Sequence, residues 1–581
     1  MFDLVIRHGT LVDGTGAEPR RADVAVRDGR IAEIADAIEA DAGETIDASG
    51  QIVTPGFVDV HTHYDGQVTW DEVLAPSSWH GITSVVMGNC GVGFAPVHPD
   101  RRQWLIELME GVEDIPGSAL AEGISWGWES FPEYLDVVAA KPRAIEVAAQ
   151  IAHGALRAYV MGDRGANNEP ATRAEIDTMS GLVREAIDAG ALAFSTNRLP
   201  LHTSLHGVPV PGTFADWDEL LALTRPMGEA GKGILQSIPA GAMGEDPDAP
   251  LREIELYRRL SLETGVTINF SLAQINKYPD LWRDVLEAVE RANDEGARIV
   301  PQVQGRPAGL LMSWETFNPF SSTAAYAEVA PLPLPERLER LRDPALRSKI
   351  LAEVDPHGPA TSLLTDSMDT TFLLDEGPVF EPDPELSIAS QAARKGVELY
   401  PFVYDLMLER AGTGRSGQPG WLHVLFAGYK GGSLGDLEEM MLRPYTITGL
   451  SDGGAHCSMI CDASLPTFML QHWVRDRTRG ARMSLAEVIK QLSKDPADLY
   501  SMGDRGTVEC GKRADLNVID FDHLELQLPE LVHDLPTGAA RVVQRANGYS
   551  ATLCGGEVTF RGGEPTGATP GGLIRGPQSL Y

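Results

Sequence analysis

The central part of the chain repeats one pattern, in which a short apolar run precedes an amphipathic window. The windows 172–189 and 279–295 have apolar residues at helical spacing. Eight apolar runs are candidate strands, at 56–61, 82–88, 145–152, 191–197, 233–238, 266–272, 298–304 and 446–452. Alternating strands and helices favour a parallel sheet covered by helices. Eight such units predict an α/β fold, the (β/α)8 TIM barrel.

Both ends of the chain have a different pattern. Residues 1–53 and 500–581 contain short runs of Val, Ile and Leu with period two, separated by turn signals. We predict that both ends form one composite β-sandwich and that residues 54–499 form the barrel. About 140 residues separate the seventh and eighth runs, which is too long for one crossover. An insertion within about 306–440, after strand seven, is therefore expected as a lid over the barrel.

The composition argues against several classes of protein. Of the 581 residues, 43% are hydrophobic and 23% are charged, as in an ordinary soluble globular protein. The formal net charge of −35 argues against nucleic acid and anionic membranes as partners. No apolar stretch is long enough to predict a membrane span, and the amino-terminal run resembles a strand more than a signal peptide. Five scattered cysteines form no disulfide framework, so we predict a cytoplasmic protein.

Two histidines end the first candidate strand, in "GFVDVHTHYDG" (56–66). His61 and His63 are two residues apart on a strand, so their side chains project to the same face. In a barrel that face is the interior, and functional sites lie at the carboxyl ends of the strands. Two convergent imidazoles suit a divalent metal ion. Two ordinary structural histidines are the alternative that this pattern leaves open.

Asp452 follows the eighth candidate strand, in "TITGLSDGGAHC". A carboxylate at a strand end could bind the same metal ion and accept a proton from a bound water. The glycines after it allow the backbone to approach closely. Because "SDGG" is also an ordinary turn sequence, a cap for the following turn is the alternative role of Asp452.

The segments "PGFVDVHTHYDG" and "GLSDGG" closely resemble the amidohydrolase superfamily. The segment "MGNCGVGFAP" (87–96) narrows the resemblance to the N-acyl-D-amino-acid deacylase, or D-aminoacylase, branch, and "HGALR", "ADLNVID" and "GGEPTG" are similar to the same branch. The resemblance covers nearly the whole chain and implies a (β/α)8 barrel with a β-sandwich and bound zinc. It also implies His61, His63 and Asp452 as ligands at one metal position, and Cys90 as a ligand at a second.

In that branch the second position takes one further histidine from each of strands five and six. Here those runs read "GILQSIPAGAM" and "VTINFSLAQINK", and no histidine lies between His206 and His357. Amide and hydroxyl oxygens bind zinc poorly beside imidazole. We therefore predict one zinc ion on the two strand-one histidines and Asp452, with Cys90 as a fourth ligand or as a buried packing thiol. A second ion stays open, and His202 and His206, in the loop after strand four, are the alternative source of imidazoles.

The resemblance implies a metal-dependent hydrolase of a non-peptide carbon–nitrogen bond, with an N-acyl-D-amino acid or a similar N-acyl compound as substrate. Asp452 would act as general base and general acid toward metal-activated water. By their positions, the candidates for substrate binding are His153, Arg157, Arg198 and His456. One alternative is a hydrolase of cyclic amides, imides or carbamates, and another is a metal-free binding protein with the same fold. The expected partner is a small acylated molecule, and large barrel hydrolases often form homo-oligomers.

Overall fold

The computed structural model of the protein describes residues 1–358, 362–374, 379–413 and 418–579. Eight parallel strands form one sheet whose strand order follows the chain. We number them β1 to β8, and their bounds are Phe57–Thr62, Ile82–Met87, Glu146–Ala152, Ala193–Asn197, Ile234–Ile238, Thr267–Leu272, Ile299–Gln304 and Ile447–Gly449. A parallel bridge between Thr62 and Gly453 brings the segment after β8 against β1 and nearly closes the barrel.

The barrel strands are rich in apolar and small residues because the sheet is covered on both sides. All six residues of β2 and all seven residues of β3 are buried. A parallel sheet with helices outside has no solvent face, so its strands form continuous apolar runs instead of alternating ones. This is why the apolar runs of the sequence locate the strands.

Helices cover the outside of the barrel. The longest of them begins with a capping box between Thr172 and Glu175 and ends at Gly190, whose φ of 116° is left-handed. These helices are Arg102–Glu113, Gly117–Gly123, Phe131–Ala139, His153–Met161, Asp163–Ala166, Arg173–Ala189, Trp217–Ala230, Ala249–Thr264, Leu281–Asp294, Gly435–Leu442, Leu465–Phe468, Leu485–Leu492 and Lys494–Leu499. A π-helix at Met469–Asp476 extends one of them.

The segment between β7 and β8 forms a separate layer over the mouth of the barrel. Its antiparallel sheet has the strands Ala308–Met312, Thr371–Leu374 and Trp421–Ala427. Its helices are Ala324–Ala327, Leu334–Leu341, Pro344–Glu353, Ser362–Thr365, Ile388–Lys395 and Leu399–Arg410. Trp314, Phe320 and Tyr404 are at the centre of its own apolar core.

Strands from both ends of the chain pair in one further sheet. In spatial order this sheet contains Glu564–Pro565, Glu557–Arg561, Tyr549–Cys554, Leu516–Ile519, Ile52–Pro55, Thr10–Leu11 and Arg20–Arg21. A second sheet contains Arg30–Ala35, Asp23–Arg27, Phe2–Arg7 and Ala42–Asp47. The two sheets share an apolar core that includes Ile6, Val24 and Leu516. The division of the chain into domains at residues 53 and 500 stays a prediction.

Shorter elements complete the described chain. Two-stranded ladders join Glu525–Leu526 to Ala546–Asn547 and Glu530–Val532 to Arg541–Val543. Short 3-10 helices lie at Gln67–Thr69, Ser77–His80, Pro99–Arg101, Met368–Thr370, Pro384–Leu386, Asp462–Ser464, Phe521–His523 and Pro536–Gly538. Among the described helices, none combines the length and the apolar character needed to cross a bilayer. The predicted TIM barrel with an additional domain is confirmed.

Candidate metal centre

The two predicted histidines lie at the carboxyl end of β1. His61 is the fifth residue of that strand, and His63 follows its end. Both residues are 1% exposed, and their ring centroids are 5.5 Å apart. Buried polar groups are nearly always hydrogen-bonded, yet neither ring nitrogen of His63 makes a hydrogen bond. These nitrogens therefore have the capacity to bind a ligand.

The hydrogen bond of His61 fixes the direction of its free lone pair. Its Nδ1 lies 2.9 Å from Oε1 of Gln302 on β7. Because an amide oxygen only accepts, Nδ1 carries the proton and Nε2 carries the lone pair. Nε2 faces Cys90 Sγ at 3.3 Å and Asp452 Oδ1 at 3.3 Å. Three electron-pair donors that face one another are typical of metal ligands.

The spacing of the donor atoms suits a metal ion. Ligand atoms of His61, His63 and Cys90 lie within 4.8 Å of one another, and in the described part of the chain no other such group occurs. His63 Nε2 is 3.7 Å from Asp452 Oδ1. Zinc bonds of about 2.0–2.3 Å in a tetrahedron place the ligand atoms about 3.3–3.8 Å apart. Imidazole, thiolate and carboxylate are also the groups that bind zinc in proteins. These residues therefore fit the metal that the resemblance implies.

The electrostatic environment of the site also favours a bound cation. Burial lowers the pKa of His63 to about 4, so its imidazole is neutral and able to bind a metal at neutral pH. Burial, together with the carboxylate of Glu113, raises the pKa of the Cys90 thiol well above its usual range. A cation beside Cys90 would stabilise its thiolate form.

The loops that carry the ligands have strained backbone conformations. Cys90 has a φ of 56°, and Asp452 has a φ of 48°. Two other residues that line the cavity, Leu450 and His456, have φ values of 64° and 48°. For residues other than glycine this left-handed conformation costs about 1–3 kcal/mol each. Part of that cost is offset at Cys90, whose backbone N–H donates to Gln236 Oε1 at 3.0 Å. Such strain is common where a site must hold ligands in fixed positions.

Glu113, the last residue of the helix Arg102–Glu113, is a further acidic residue of the site that the sequence did not predict. This side chain is 1% exposed. Its Oε1 lies 3.5 Å from His63 Nδ1, and its Oε2 lies 3.6 Å from His456 Nε2. A carboxylate behind a metal-binding histidine orients the ring and raises its basicity. No local motif marks this role, because Glu113 is one of several acids in "MEGVED".

Glu113→Gln is expected to weaken metal binding by about 10–100-fold, the usual cost of losing such a partner. The measurement is a competition titration against a metal-binding dye. Glu107→Gln, on the same helix but facing the exposed His206, is the matched control and should bind metal as the unmodified protein does. Unchanged affinity in Glu113→Gln would show that Glu113 does not orient His63.

The candidate metal ligands line a cavity of about 430 Å3. Most of its lining side chains are apolar, namely Leu199, Leu201, Ile238, Ala242, Met243, Ala273, Ala308, Leu310, Phe317, Leu363, Phe426, Leu450, Met459 and Ile460. Several of these belong to the layer between β7 and β8, which therefore covers the site. A concave, mostly apolar cavity with a few convergent polar groups is typical of a small-molecule site.

A family model described as "Amidohydrolase family" matches residues 44–560. The chain belongs to this amidohydrolase family. It is 27% identical to an uncharacterized protein of Mycobacterium tuberculosis over 97% of this chain and 92% of the relative. It is 33% identical to a D-aminoacylase of Alcaligenes xylosoxydans xylosoxydans over 52% of this chain and 58% of the relative.

The fold of this amidohydrolase is also found in solved structures. A crystal structure of N-acyl-D-glutamate deacylase from Bordetella bronchiseptica, complexed with zinc and a phosphonate inhibitor, is similar with a TM-score of 0.64. The similarity covers 99% of each chain. At 24% identity it establishes a shared fold and nothing about the substrate. The predicted D-aminoacylase-like amidohydrolase, a hydrolase of non-peptide carbon–nitrogen bonds, is confirmed by these relatives.

Strands five and six of this amidohydrolase present amides at the positions where the resemblance implies imidazoles. Gln236 of β5 accepts the hydrogen bond from the Cys90 backbone, and Asn269 of β6 donates to the Val300 carbonyl at 2.8 Å. His202 lines the cavity, whereas His206 is exposed and faces Glu107 at 3.3 Å. The two loop histidines therefore do not converge on one position.

Of the residues predicted to bind substrate, His456 lines the cavity of this amidohydrolase. His153 and Arg157 instead converge on Glu219, with His153 Nε2 at 3.0 Å from Glu219 Oε1. Arg198 Nε lies 2.7 Å from Glu253 Oε2. These three residues have internal partners and are not among the cavity-lining residues, so their contact with substrate stays a prediction.

Proposed function

We propose that the protein hydrolyses the amide bond of a small N-acyl compound at a single zinc centre. The observation that carries this proposal is the convergence of the two strand-one histidines with Cys90 and Asp452 in the wall of one cavity. The nitrogens of His63 argue against a metal-free binding protein, because they are buried without a hydrogen bond and such burial is costly.

When bound, zinc polarises a scissile carbonyl and acidifies water. His61 and His63 would hold the ion, and Gln302 and Glu113 would fix the orientation of their rings. The Asp452 carboxylate takes the proton of the attacking water and delivers it to the leaving nitrogen. Its side chain is 29% exposed at the cavity floor, which leaves it accessible to both groups.

We assign two further imidazoles to the surroundings of the scissile amide. His202 lines the cavity with an Nδ1 that makes no hydrogen bond, and His456 lines it beside Glu113. An N–H group at either position could donate to the oxygen on which negative charge develops. Most of the remaining wall is apolar and would accept the uncharged parts of the substrate.

The proposed function is tested by amine release from a panel of N-acyl compounds. The zinc-loaded protein is expected to release amine, to lose this activity on chelation, and to regain it when zinc is restored. Cleavage that is unaffected by chelation would contradict the metal-dependent mechanism. Absence of cleavage of every panel compound at full metal content would contradict the proposed function.

Cys90→Ser is expected to weaken zinc binding by at least about 10-fold, because a hydroxyl is a much poorer zinc ligand than a thiolate. In the cobalt-substituted protein, the same change should remove the sulfur-to-cobalt charge-transfer absorption. Cys510→Ser, which alters an exposed free thiol, should leave both properties unchanged. If Cys90→Ser binds zinc as tightly as the unmodified protein, Cys90 is a packing thiol.

The state of the cysteines supports the predicted cytoplasmic location. All five thiols, at positions 90, 457, 461, 510 and 554, are free. Proteins of oxidising compartments more often pair their cysteines, whereas reduced thiols are usual in the cytosol.

A further inference from the structure

We propose that the substrate carries no carboxylate and is an uncharged N-acyl amine with apolar groups on both sides of the amide. This inference rests on the proposed hydrolytic function and specifies its substrate class. The resemblance to N-acyl-D-amino-acid deacylases implies a substrate with a free carboxylate, so the two expectations differ.

The charged side chains of the cavity wall are acidic. Glu113, Asp452 and Asp462 line the cavity, and its described lining residues include no lysine and no arginine. Binding a carboxylate normally requires a cationic partner, most often an arginine that binds both oxygens. Here a substrate carboxylate would lose its water, find no such partner among the described lining residues, and lie beside acidic side chains.

The arginines that follow the barrel strands are already paired behind the wall. Arg157 donates to Glu219, and Arg198 donates to Glu253. Arg306 is 4% exposed and donates to Ser464 Oγ at 2.6 Å.

Asp462 separates Arg306 from the cavity. Arg306 Nε lies 3.4 Å from Asp462 Oδ1, and of these two residues only Asp462 lines the cavity. In this ion pair the carboxylate of Asp462 therefore faces the substrate, and the guanidinium of Arg306 lies behind the cavity wall. Asp462 is a specificity-determining residue on this account.

The imidazoles of the site do not replace a missing arginine. Burial lowers the pKa of His202 to about 3, so that ring is uncharged at neutral pH. His456 Nε2 already faces the Glu113 carboxylate at 3.6 Å. A zinc ion held by His61 and His63 would supply its charge to the scissile carbonyl and would not replace the missing arginine.

The test compares two compounds that differ only in the carboxylate, N-acetyl-D-leucine and N-(3-methylbutyl)acetamide. Longer acyl chains and the L-enantiomer extend the series. We expect the zinc-loaded protein to cleave the uncharged compound with a kcat/KM higher by about 100-fold or more, because the wall leaves the carboxylate unpaired. An equal or higher kcat/KM for N-acetyl-D-leucine would overturn the inference while leaving the proposed function intact.

If neither series is cleaved, the proposed function fails, and calorimetric binding of the two compounds still decides the charge preference. Tighter binding of the uncharged compound would support the inference, and tighter binding of the acid would overturn it.

A second experiment tests Asp462 directly. Asp462→Asn removes an acidic group from the wall and the ion-pair partner of Arg306. The ratio of kcat/KM for the uncharged compound to kcat/KM for the acid should therefore fall by about 10-fold. Asp405→Asn is the matched control, because Asp405 also pairs with an arginine, Arg347, but is exposed. It should leave the preference unchanged. An unchanged kcat/KM ratio in folded Asp462→Asn would show that Asp462 does not determine specificity. The comparison of the two compounds in the unmodified protein does not depend on this variant.

Discussion

Asp452→Asn is expected to lower kcat by about 10²–10⁴-fold, the range in which general acid–base catalysis usually contributes. An amide side chain of the same size cannot take the proton of the attacking water or return it to the leaving nitrogen. The backbone should persist, since Asn tolerates the left-handed conformation that residue 452 adopts. The measurement is the rate of amine release at saturating substrate, together with the metal content of the same sample.

The metal content separates the two roles of Asp452. A variant that keeps its zinc but loses turnover identifies Asp452 as the proton carrier, whereas a variant that loses zinc identifies a ligand role. Asp476→Asn, which alters a partly exposed acid paired with Arg475, should retain full rate. A folded, zinc-loaded Asp452→Asn protein with more than about a tenth of the original rate would remove Asp452 from proton transfer.

Glu219→Ala is expected to lower the free energy of unfolding by about 3–5 kcal/mol, the usual cost of removing one partner from a buried ion pair. The Glu219 side chain is 3% exposed, and those of Arg157 and His153 are 2% and 0% exposed. Without the carboxylate, the guanidinium of Arg157 would stay buried without its counter-ion. Thermal and denaturant unfolding of the purified protein measure this loss.

A surface ion pair provides the control for Glu219. Glu263 contacts Arg225 at 3.0 Å, and both side chains are about half exposed. Glu263→Ala should therefore change stability by no more than about 1 kcal/mol. If Glu219→Ala is as stable as Glu263→Ala but has a raised KM, His153 and Arg157 would act on substrate and not as a structural pair.

The barrel and the core of the site could be predicted because both follow from strand geometry. A parallel sheet buried on both faces produces apolar runs, and the observed strands coincide with those runs. His61 and His63 alternate with one residue between them, so they share the interior face. Asp452 follows the last strand, and strand ends meet at one mouth of the barrel.

The partners of the ligands could not be predicted, because they come from distant elements whose orientation no local pattern sets. Glu113 ends a helix outside the barrel, and Gln302 is 241 positions from His61. Sequence position likewise places Arg157 and Arg198 near the strand ends without showing whether they face the cavity or the helices. In the structure both pair with glutamates of neighbouring helices.

The number of metal ions bound per chain is the most direct test of a single zinc centre built on these residues. The protein is incubated with excess zinc, unbound ions are removed, and the remaining zinc is measured by elemental analysis. We expect one ion per chain, reduced almost to zero when both His61 and His63 are replaced by Ala. Two tightly bound ions per chain, or fewer than about half an ion after zinc incubation, would contradict a single centre built on these residues.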